Sequence, residues 1–404
     1  MISRNLRHFR VFLAVAELRK PTAAADRFLV SQPAVTQALA KLERQAGGAL
    51  FERTRQGFFL TERGEVLNAR LRRAMDRLDN SFAEVSPRLA VTATTAQLQA
   101  LIAMAEARNF TLAARRLGVA QPTVHRAITQ IELEATRSLF ERTPFGMVAT
   151  RPCRELAQAA RLAFSEFDQI EADLADLDGR EVGRIVVGSL PLSRSVVLPE
   201  AVARFLSARP KGRVTIIDGP YDDLLGSLRS GQIDFILGAL RDPLPIDDVT
   251  QEPLFLDHLA ILARPDHPLA AEHDIPLEVL VQHTWTVPRP GTPAREQFDA
   301  LFEAQGMVLP DSVVECGSIL LMRELLLRSD LLGCISGQQA EAEVRNGLLV
   351  SLRTRIDWPG RSIGLTYRRG WVPTKAQSLL LGAIRRATGE RGSASRLIER
   401  HKKI

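Results

Sequence analysis

The sequence predicts an α/β protein in which two copies of a small helix-rich module, each followed by a long helix, precede a domain of alternating strands and helices. Three observations carry this. The stretch SQPAV at 31 to 35 returns as AQPTV at 120 to 124, inside an ungapped self-match of residues 9 to 61 on 98 to 150 in which 22 of 53 positions are identical. From residue 184 onward, short apolar runs bounded by turn residues alternate with helical patterns, as expected of strands and helices taken in turn. Charge is also divided: residues 1 to 96 hold 16 Lys plus Arg against 9 Asp plus Glu, whereas 181 to 384 hold 20 against 25. A basic front joined to a mildly acidic body points to a polyanion-binding part attached to something else.

At 404 residues and 45% hydrophobic, the chain can bury more than one core. No run of about 18 uncharged apolar residues occurs, and MISRNLRHFR at the N-terminus carries charges where a signal peptide needs its apolar stretch. No membrane partner and a cytoplasmic location are therefore expected. Cys153, Cys316 and Cys334 lie far apart without metal-ligand spacing and are expected to be buried small residues. The seven histidines form no H-x-x-x-H pair, and no nucleophile–base set or phosphate loop is present. Neither a metal, a cofactor nor catalysis is expected.

The elements of the first module follow in order. Phe9, Phe12, Leu13 and Ala16 recur at helical spacing, so residues 6 to 18 read as a helix with one buried face. Thr22 is placed to cap a short helix through Ala24, Ala25 and Phe28. Pro33 then suits the first turn of a third helix that buries Val35, Leu39 and Leu42. Its other face shows Gln32, Thr36, Gln37, Lys41 and Arg44, the amides, hydroxyls and bases that read major-groove edges. The segment 47 to 61, with Arg53 and Arg55 around short apolar pieces, fits a β wing resting on the phosphate backbone. A small helical bundle with a solvated face is the plainer alternative.

The ordered set of AA at 24 and 25, SQPAV at 31, LE at 42, LFER at 50 and LTERG at 60 resembles the winged helix-turn-helix of the LysR-type transcriptional regulators. The second copy matches with AA at 113, AQPTV at 120, IE at 131 and LFERT at 139. Its corresponding DNA-facing residues are Gln121, Thr123, His125, Arg126 and Arg142. Both copies depart from the family pattern, with Thr36 and His125 where serine is usual; the second also has Thr136 in place of Gly47 and Cys153 in place of Gly64. Residues 1 to 63 carry 11 bases and 5 acids, against 7 and 4 in 97 to 152. Copy one is the safer DNA binder; copy two is either a second reader or a remnant kept as a dimerisation or spacer element.

The resemblance implies a long linker helix after each module, pairing antiparallel with its partner. Residues 63 to 84 suit that role through Val66, Leu67, Leu71, Met75 and Leu78, and residues 153 to 177 repeat it with Leu156, Leu162, Phe164, Phe167, Ile170 and Leu174. Between them, SPRLAVTATTA at 86 to 96 reads as a connector whose extended reach is on the order of 36 Å. The two modules are thus expected to pack within one chain as a covalent pseudo-dimer. The expected domains are 1–62 and 97–151 for the modules, 63–96 and 152–180 for linkers, 181–385 for the last domain and 386–404 for a basic tail, expected to be disordered, with added DNA contacts as the alternative.

In that last domain, strands are expected at RIVVGS (184), VTIIDG (214), IDFILGAL (233), HLAILAR (258), TWTVP (284), LLGCISG (331) and SIGLTYRRG (362), mainly parallel. The segment resembles the two-lobed effector domain of the same regulators, similar to type 2 periplasmic binding proteins, with lobe I about 183–265 and 360–385 and lobe II about 266–359. Such folds bind ligands between lobes, at strand ends and helix N-termini. By position the candidates are Ser189, Leu190, Pro191, Ser193, Arg194, Gly219 and Tyr221 in lobe I, and Arg289, Gly291, Thr292, Arg295, Ser318 and Ser336 in lobe II. The arginines favour an anionic effector; ordinary caps and turns explain the same residues otherwise.

The function expected is a sequence-specific DNA-binding regulator biased by a small-molecule effector. Its implied partners are a double-stranded DNA operator, the effector, RNA polymerase and further copies of the chain as a dimer or tetramer. The rivals are a ligand-sensing interaction protein with a degenerate second module, and an enzyme on the same two-lobed fold.

Overall fold

The first helix, α1 (Leu6–Leu18), buries Phe9, Phe12 and Val15 fully. Asn5 caps it, accepting from the His8 N–H at 3.1 Å. α2 (Pro21–Arg27) starts at Pro21 with Lys20 at the cap position and no side-chain cap bond. Thr22 therefore lies inside the helix rather than capping it, because the proline ring already sets the first-turn φ. α3 (Gln32–Ala46) is capped by Ser31, buries Val35, Leu39 and Leu42 as expected, and stops at Gly47 with φ +79°. A hairpin of β1 (Phe51–Thr54) and β2 (Gly57–Leu60) follows. Thr61 then caps α4 (Glu62–Val85). The structure, a computed structural model, describes every residue except Met1, Ser3, Asp311 and 402 to 404, and of 390 to 401 it describes the backbone alone.

The connector is not extended. It holds the short helix α5 (Leu89–Thr92), whose Leu89 is buried, and ends in a reciprocal cap between Thr94 and Gln97 at the start of α6 (Thr95–Ala107). Apolar Leu89 and the capping pair give these residues contacts that an extended strand would forgo. The second module then repeats the first with α7 (Phe110–Leu117), α8 (Gln121–Ala135), β3 (Phe140–Thr143), β4 (Gly146–Ala149) and α9 (Arg151–Leu177).

α4 and α9 pack antiparallel. Arg63 near the start of α4 pairs with Asp178 just past the end of α9, Arg70 pairs with Asp173 at 2.8 Å, and Arg73 pairs with Glu166 at 3.2 Å. One apolar core runs through both modules and both long helices, from Leu6 to Leu174. The chain divides into two compact units, Met1–Gly183 and Arg184–Ile404.

The second unit holds two five-stranded sheets. Lobe I contains β5 (Arg184–Ser189), α10 (Val197–Ala208), β6 (Arg213–Asp218), α11 (Tyr221–Arg229), β7 (Phe235–Ala239) and β8 (Val249–Asp257). Lobe II contains β9 (Leu259–Ala263), α12 (Leu277–Leu280), β10 (Trp285–Val287), α13 (Pro293–Ala304), β11 (Val313–Glu315), α14 (Ile319–Leu326), β12 (Leu332–Ser336), α15 (Gly337–Arg345) and β13 (Val350–Ser351). The chain then returns to lobe I as β14 (Arg361–Arg368) and ends in α16 (Lys375–His401).

The strand orders are β6-β5-β7-β14-β8 and β11-β10-β12-β9-β13. In each sheet four strands run the same way and one, β14 in lobe I and β9 in lobe II, runs against them, giving two parallel and two antiparallel pairings. The expectation of mainly parallel strands holds for direction and for half of the pairings, because β9 and β14, the strands by which the chain enters each lobe after crossing from the other, run against their sheets and pair antiparallel on both sides. The tail, expected to be disordered, continues α16 as far as His401.

Candidate DNA-binding surfaces and effector cleft

In module 1, Gln32, Thr36, Gln37 and Arg44 are exposed on one side of α3, and Lys41 is half-buried beside them. The opposite side is pinned to the core by Val35, Ala38, Leu39 and Leu42, so the polar side faces solvent by the helical period alone. Thr36 donates its hydroxyl proton to Gln32 O at 3.2 Å, so that donor is satisfied within the helix. Arg53 and Arg55 are exposed on the hairpin, and the Arg53 guanidinium stacks over Phe58, 5.5 Å from the ring centre. At the C-terminus of α3, Arg63 Nη1 donates to Ala46 O at 2.7 Å, which satisfies one orphan carbonyl of the recognition helix.

Module 2 presents Gln121, Thr123, His125 and Arg126 on the exposed side of α8, and Arg142 on its hairpin. The His125 ring rests on Phe110, 5.2 Å between centres. Two positions that sequence reasoning passed over stand out: Leu133 is 74% exposed where module 1 has Arg44, and Phe145 is 91% exposed where module 1 has Gln56. Both were visible in the self-alignment, as apolar residues opposite polar ones. Cys153, opposite Gly64, is fully buried, and burial pushes its thiol pKa up to about 12.

In the second unit, lobe I brings Ser189, Leu190 and Ser193 together as a buried turn rather than an open ligand face. Ser193 Oγ lies 3.0 Å from Ser189 Oγ, 2.8 Å from Leu190 O and 3.1 Å from Leu237 O. Pro191 opens this turn, and Arg194 at its end pairs with Asp218 at 3.1 Å on the surface. Gly219 leads into Tyr221 at the start of α11. The Tyr221 ring is capped by the Arg241 guanidinium at 4.4 Å, and its buried hydroxyl has no hydrogen-bond partner. Burial raises the Tyr221 pKa against the pull of Arg241.

Lobe II spreads its candidates apart. Arg289 and Gly291 are exposed, and Thr292 caps α13 on the Arg295 N–H. Arg295 is already held by Asp299 at 2.7 Å and Glu315 at 2.8 Å. Ser318 is an exposed cap of α14, whereas Ser336 is buried, caps α15 and donates to Asp257 Oδ1 at 2.9 Å.

Asp257 also accepts from Gln338 N at 3.3 Å and pairs through its other oxygen with buried Arg361. These two residues sit where the chain crosses between the sheets, and α15 packs against the turn Pro191–Arg194 of lobe I. Arg361 Nε and Gln338 Oε1 are buried without partners, polar atoms whose desolvation calls for an explanation. Sequence reasoning missed Arg241, Asp257, Gln338 and Arg361, since only the fold brings them together.

Two helix-turn-helix modules with exposed polar recognition faces, joined to a two-lobed domain, define a DNA-binding regulator with a ligand-binding part. Residues 6–65 and 95–154 both match the bacterial regulatory helix-turn-helix of the lysR family, and residues 178–389 match the LysR substrate binding domain. The chain belongs to the LysR family of bacterial transcriptional regulators.

It is 36% identical over 391 residues to the HTH-type transcriptional regulator GalR of Pseudomonas putida, covering 96% of this chain and 98% of that one. That alignment is long enough to include both modules. The HTH-type transcriptional regulator PcaQ of Agrobacterium fabrum is 28% identical, with 94% of its length covering only 72% of this chain. Among solved structures, a full-length OxyR variant of Pseudomonas aeruginosa aligns with TM-score 0.53 and 22% identity over 72% of this chain and 97% of its own. CbnR, a LysR family transcriptional regulator, aligns with TM-score 0.50 and 21% identity over 73% of this chain and 99% of its own. Among the described residues no cluster of three or more His, Cys, Asp and Glu is placed to hold a metal, and no helix is long and apolar enough to cross a membrane.

Proposed function

We propose that one chain reads two unlike DNA half-sites, module 1 through Gln32, Thr36, Gln37, Lys41 and Arg44 and module 2 through Gln121, Thr123, His125 and Arg126, with Arg53, Arg55 and Arg142 on the flanking backbone. The observation that carries this reading is the antiparallel packing of α4 on α9, which gathers both modules into one unit with one core while both recognition faces stay exposed. Each module then supplies its own base contacts, and the half-sites differ because the side chains do. The setting for this is the cytoplasm, with RNA polymerase and further copies of the chain as partners.

The test is a footprint and salt titration of the full chain on operator DNA that it selects from a random-sequence pool. Gln32→Ala with Arg44→Ala should strip protection from one half-site, and Gln121→Ala with Arg126→Ala from the other. Protection of both half-sites by the second variant would reduce module 2 to a spacer.

A small anionic effector between the lobes of the second unit is the companion proposal. Support comes from Arg241 over Tyr221, the unpartnered Tyr221 hydroxyl and the unpartnered Arg361 Nε, donors suited to a carboxylate. Thermal shifts of the full chain against carboxylates and their matched amides test it. A carboxylate should raise the midpoint in the parent chain and raise it less in Tyr221→Phe; stabilisation by the amides alone would refute an anionic effector.

A further inference from the structure

The two linker helices are copies of one another, yet the residues at their seam are not. Arg70 is 3% exposed on α4; its Nη1 donates to Glu166 at 3.0 Å and to Gln169, and its Nε donates to Asp173 at 2.8 Å. Arg73 shares Glu166 at 3.2 Å, and Glu166 is itself 6% exposed. At the repeat offset, Arg70 and Arg73 correspond to Ala159 and Leu162, while Glu166, Gln169 and Asp173 correspond to Arg77, Asn80 and Glu84.

These correspondences decide what each helix could accept as a partner. If α4 packed in the same register on α4 of a second chain, Arg70 and Arg73 would meet that chain's counterpart of Glu166, which is Arg77. Like charges would then face each other where Arg70 is now buried, and only the Glu84 position would still offer a carboxylate. If α9 packed on a second α9, Glu166 would meet Ala159 and Leu162, and Asp173 would meet Ala159. A carboxylate now almost fully buried would lose every cation, and an uncompensated buried charge is strongly destabilising.

A second asymmetric contact agrees. Arg4, ahead of α1, pairs with Asp168 of α9 and lies over Phe164 at 5.6 Å. The counterpart of Arg4 is Ala93, and Asp79, the counterpart of Asp168, is taken by Arg10 within its own module.

We infer that the seam is a heterotypic pairing code: the surface of α4 accepts α9 of its own chain and rejects the equivalent helix of a second copy. With α4 and α9 already joined within each chain, two chains associate through other surfaces. The code stands whether or not module 2 reads DNA.

Three measurements on the full chain test it. Arg63→Cys with Asp178→Cys places thiols at the existing ion pair, and a short bismaleimide should link them within one chain. In a mixture of light- and heavy-isotope chains, every linked peptide should carry a single isotope; linked peptides carrying both isotopes overturn the inference. Arg70→Glu with Arg73→Glu should lower the melting midpoint by about 10 °C. Adding Glu166→Arg and Asp173→Arg to that pair should recover most of the loss, because opposite signs again meet across the seam. A charge-reversed pair that melts like the parent, or a fourfold variant that recovers nothing, overturns the charge code.

Discussion

Modules 1 and 2 keep the same backbone devices 89 positions apart and differ in what they show to solvent. Arg19 and Arg108 both end their helices at positive φ, 56° and 53°. Gly57 and Gly146 both pass so close to the carbonyl at the end of the module's first helix, Arg19 O and Arg108 O, that an added Cβ would lie 2.7 Å from it. Glu43 and Glu132 both reach across to the N–H of the next strand's leading leucine, at 3.1 and 2.7 Å. On the exposed side, by contrast, Lys41, Arg44, Arg55 and Gln56 face Gln130, Leu133, Pro144 and Phe145. What the fold needs has stayed and what a reading face needs has diverged, so module 2 is a stable scaffold with a less cationic, more apolar head.

The largest test of this comparison lies at one place where the scaffolds do differ. A Cβ on Gly64 would sit 2.1 Å from Leu50 O, while module 2 holds Cys153 at the same position. The cap itself is kept, Thr61 Oγ1 accepting from the Gly64 N–H at 3.0 Å and Thr150 Oγ1 from the Cys153 N–H at 3.4 Å, while the hydroxyl proton goes to Ala49 O in one and to Leu139 O in the other. Gly64→Ala should cost about 3 kcal/mol of unfolding free energy, since backbone must shift to admit the methyl. Cys153→Ala should cost about 1 kcal/mol, the loss of one buried sulfur. Equal costs in denaturant melts would mean that the two junctions are alike after all.

Next come the heads. Arg44→Ala should weaken operator binding by about tenfold and lower the salt slope by about one, whereas Leu133→Ala should leave the slope unchanged. An equal fall in slope for both would place the module 2 contacts elsewhere on α8.

At the hairpin tips, Arg55→Ala should flatten the salt dependence and Phe145→Ala should not, because only the arginine releases a counterion. A smaller effect is expected at the ends of the recognition helices. Gly47 and Thr136 both adopt positive φ, 79° and 54°, a conformation that a β-branched residue adopts at a cost. Thr136→Gly should stabilise the chain by about 1 kcal/mol, and no gain would show that the Thr136 hydroxyl bond to Ala135 O at 2.8 Å offsets the strain.

Much of the first unit was legible because its signals are local. The buried faces of α1, α3, α4 and α9 follow from helical spacing, and the exposed residues of α3 and α8 follow from the same count taken on the other side. β8 escaped notice because VTQEPLFLD carries Pro253 and a mixed burial pattern with no clean alternation. The short helix inside the connector was not legible because four residues are too few to show a period. The cleft was least legible: Asp257 and Arg361 are 104 residues apart and meet only where the two crossings lie side by side, and nothing around either residue alone marks a partner.

The packed connector has a consequence for how the regulator behaves on dilution. Ser86 Oγ donates to Glu134 O at 3.1 Å, so the chain leaving α4 is fastened to the recognition helix of the other module. Under the two-reader function proposed above, a second reader held by so short a link would be present at an effective concentration of about millimolar or more, whatever the number of molecules in solution. Occupancy of a two-half-site operator then follows the first power of chain concentration, where a head assembled from two separate chains would lose its partner by mass action as the protein became scarce.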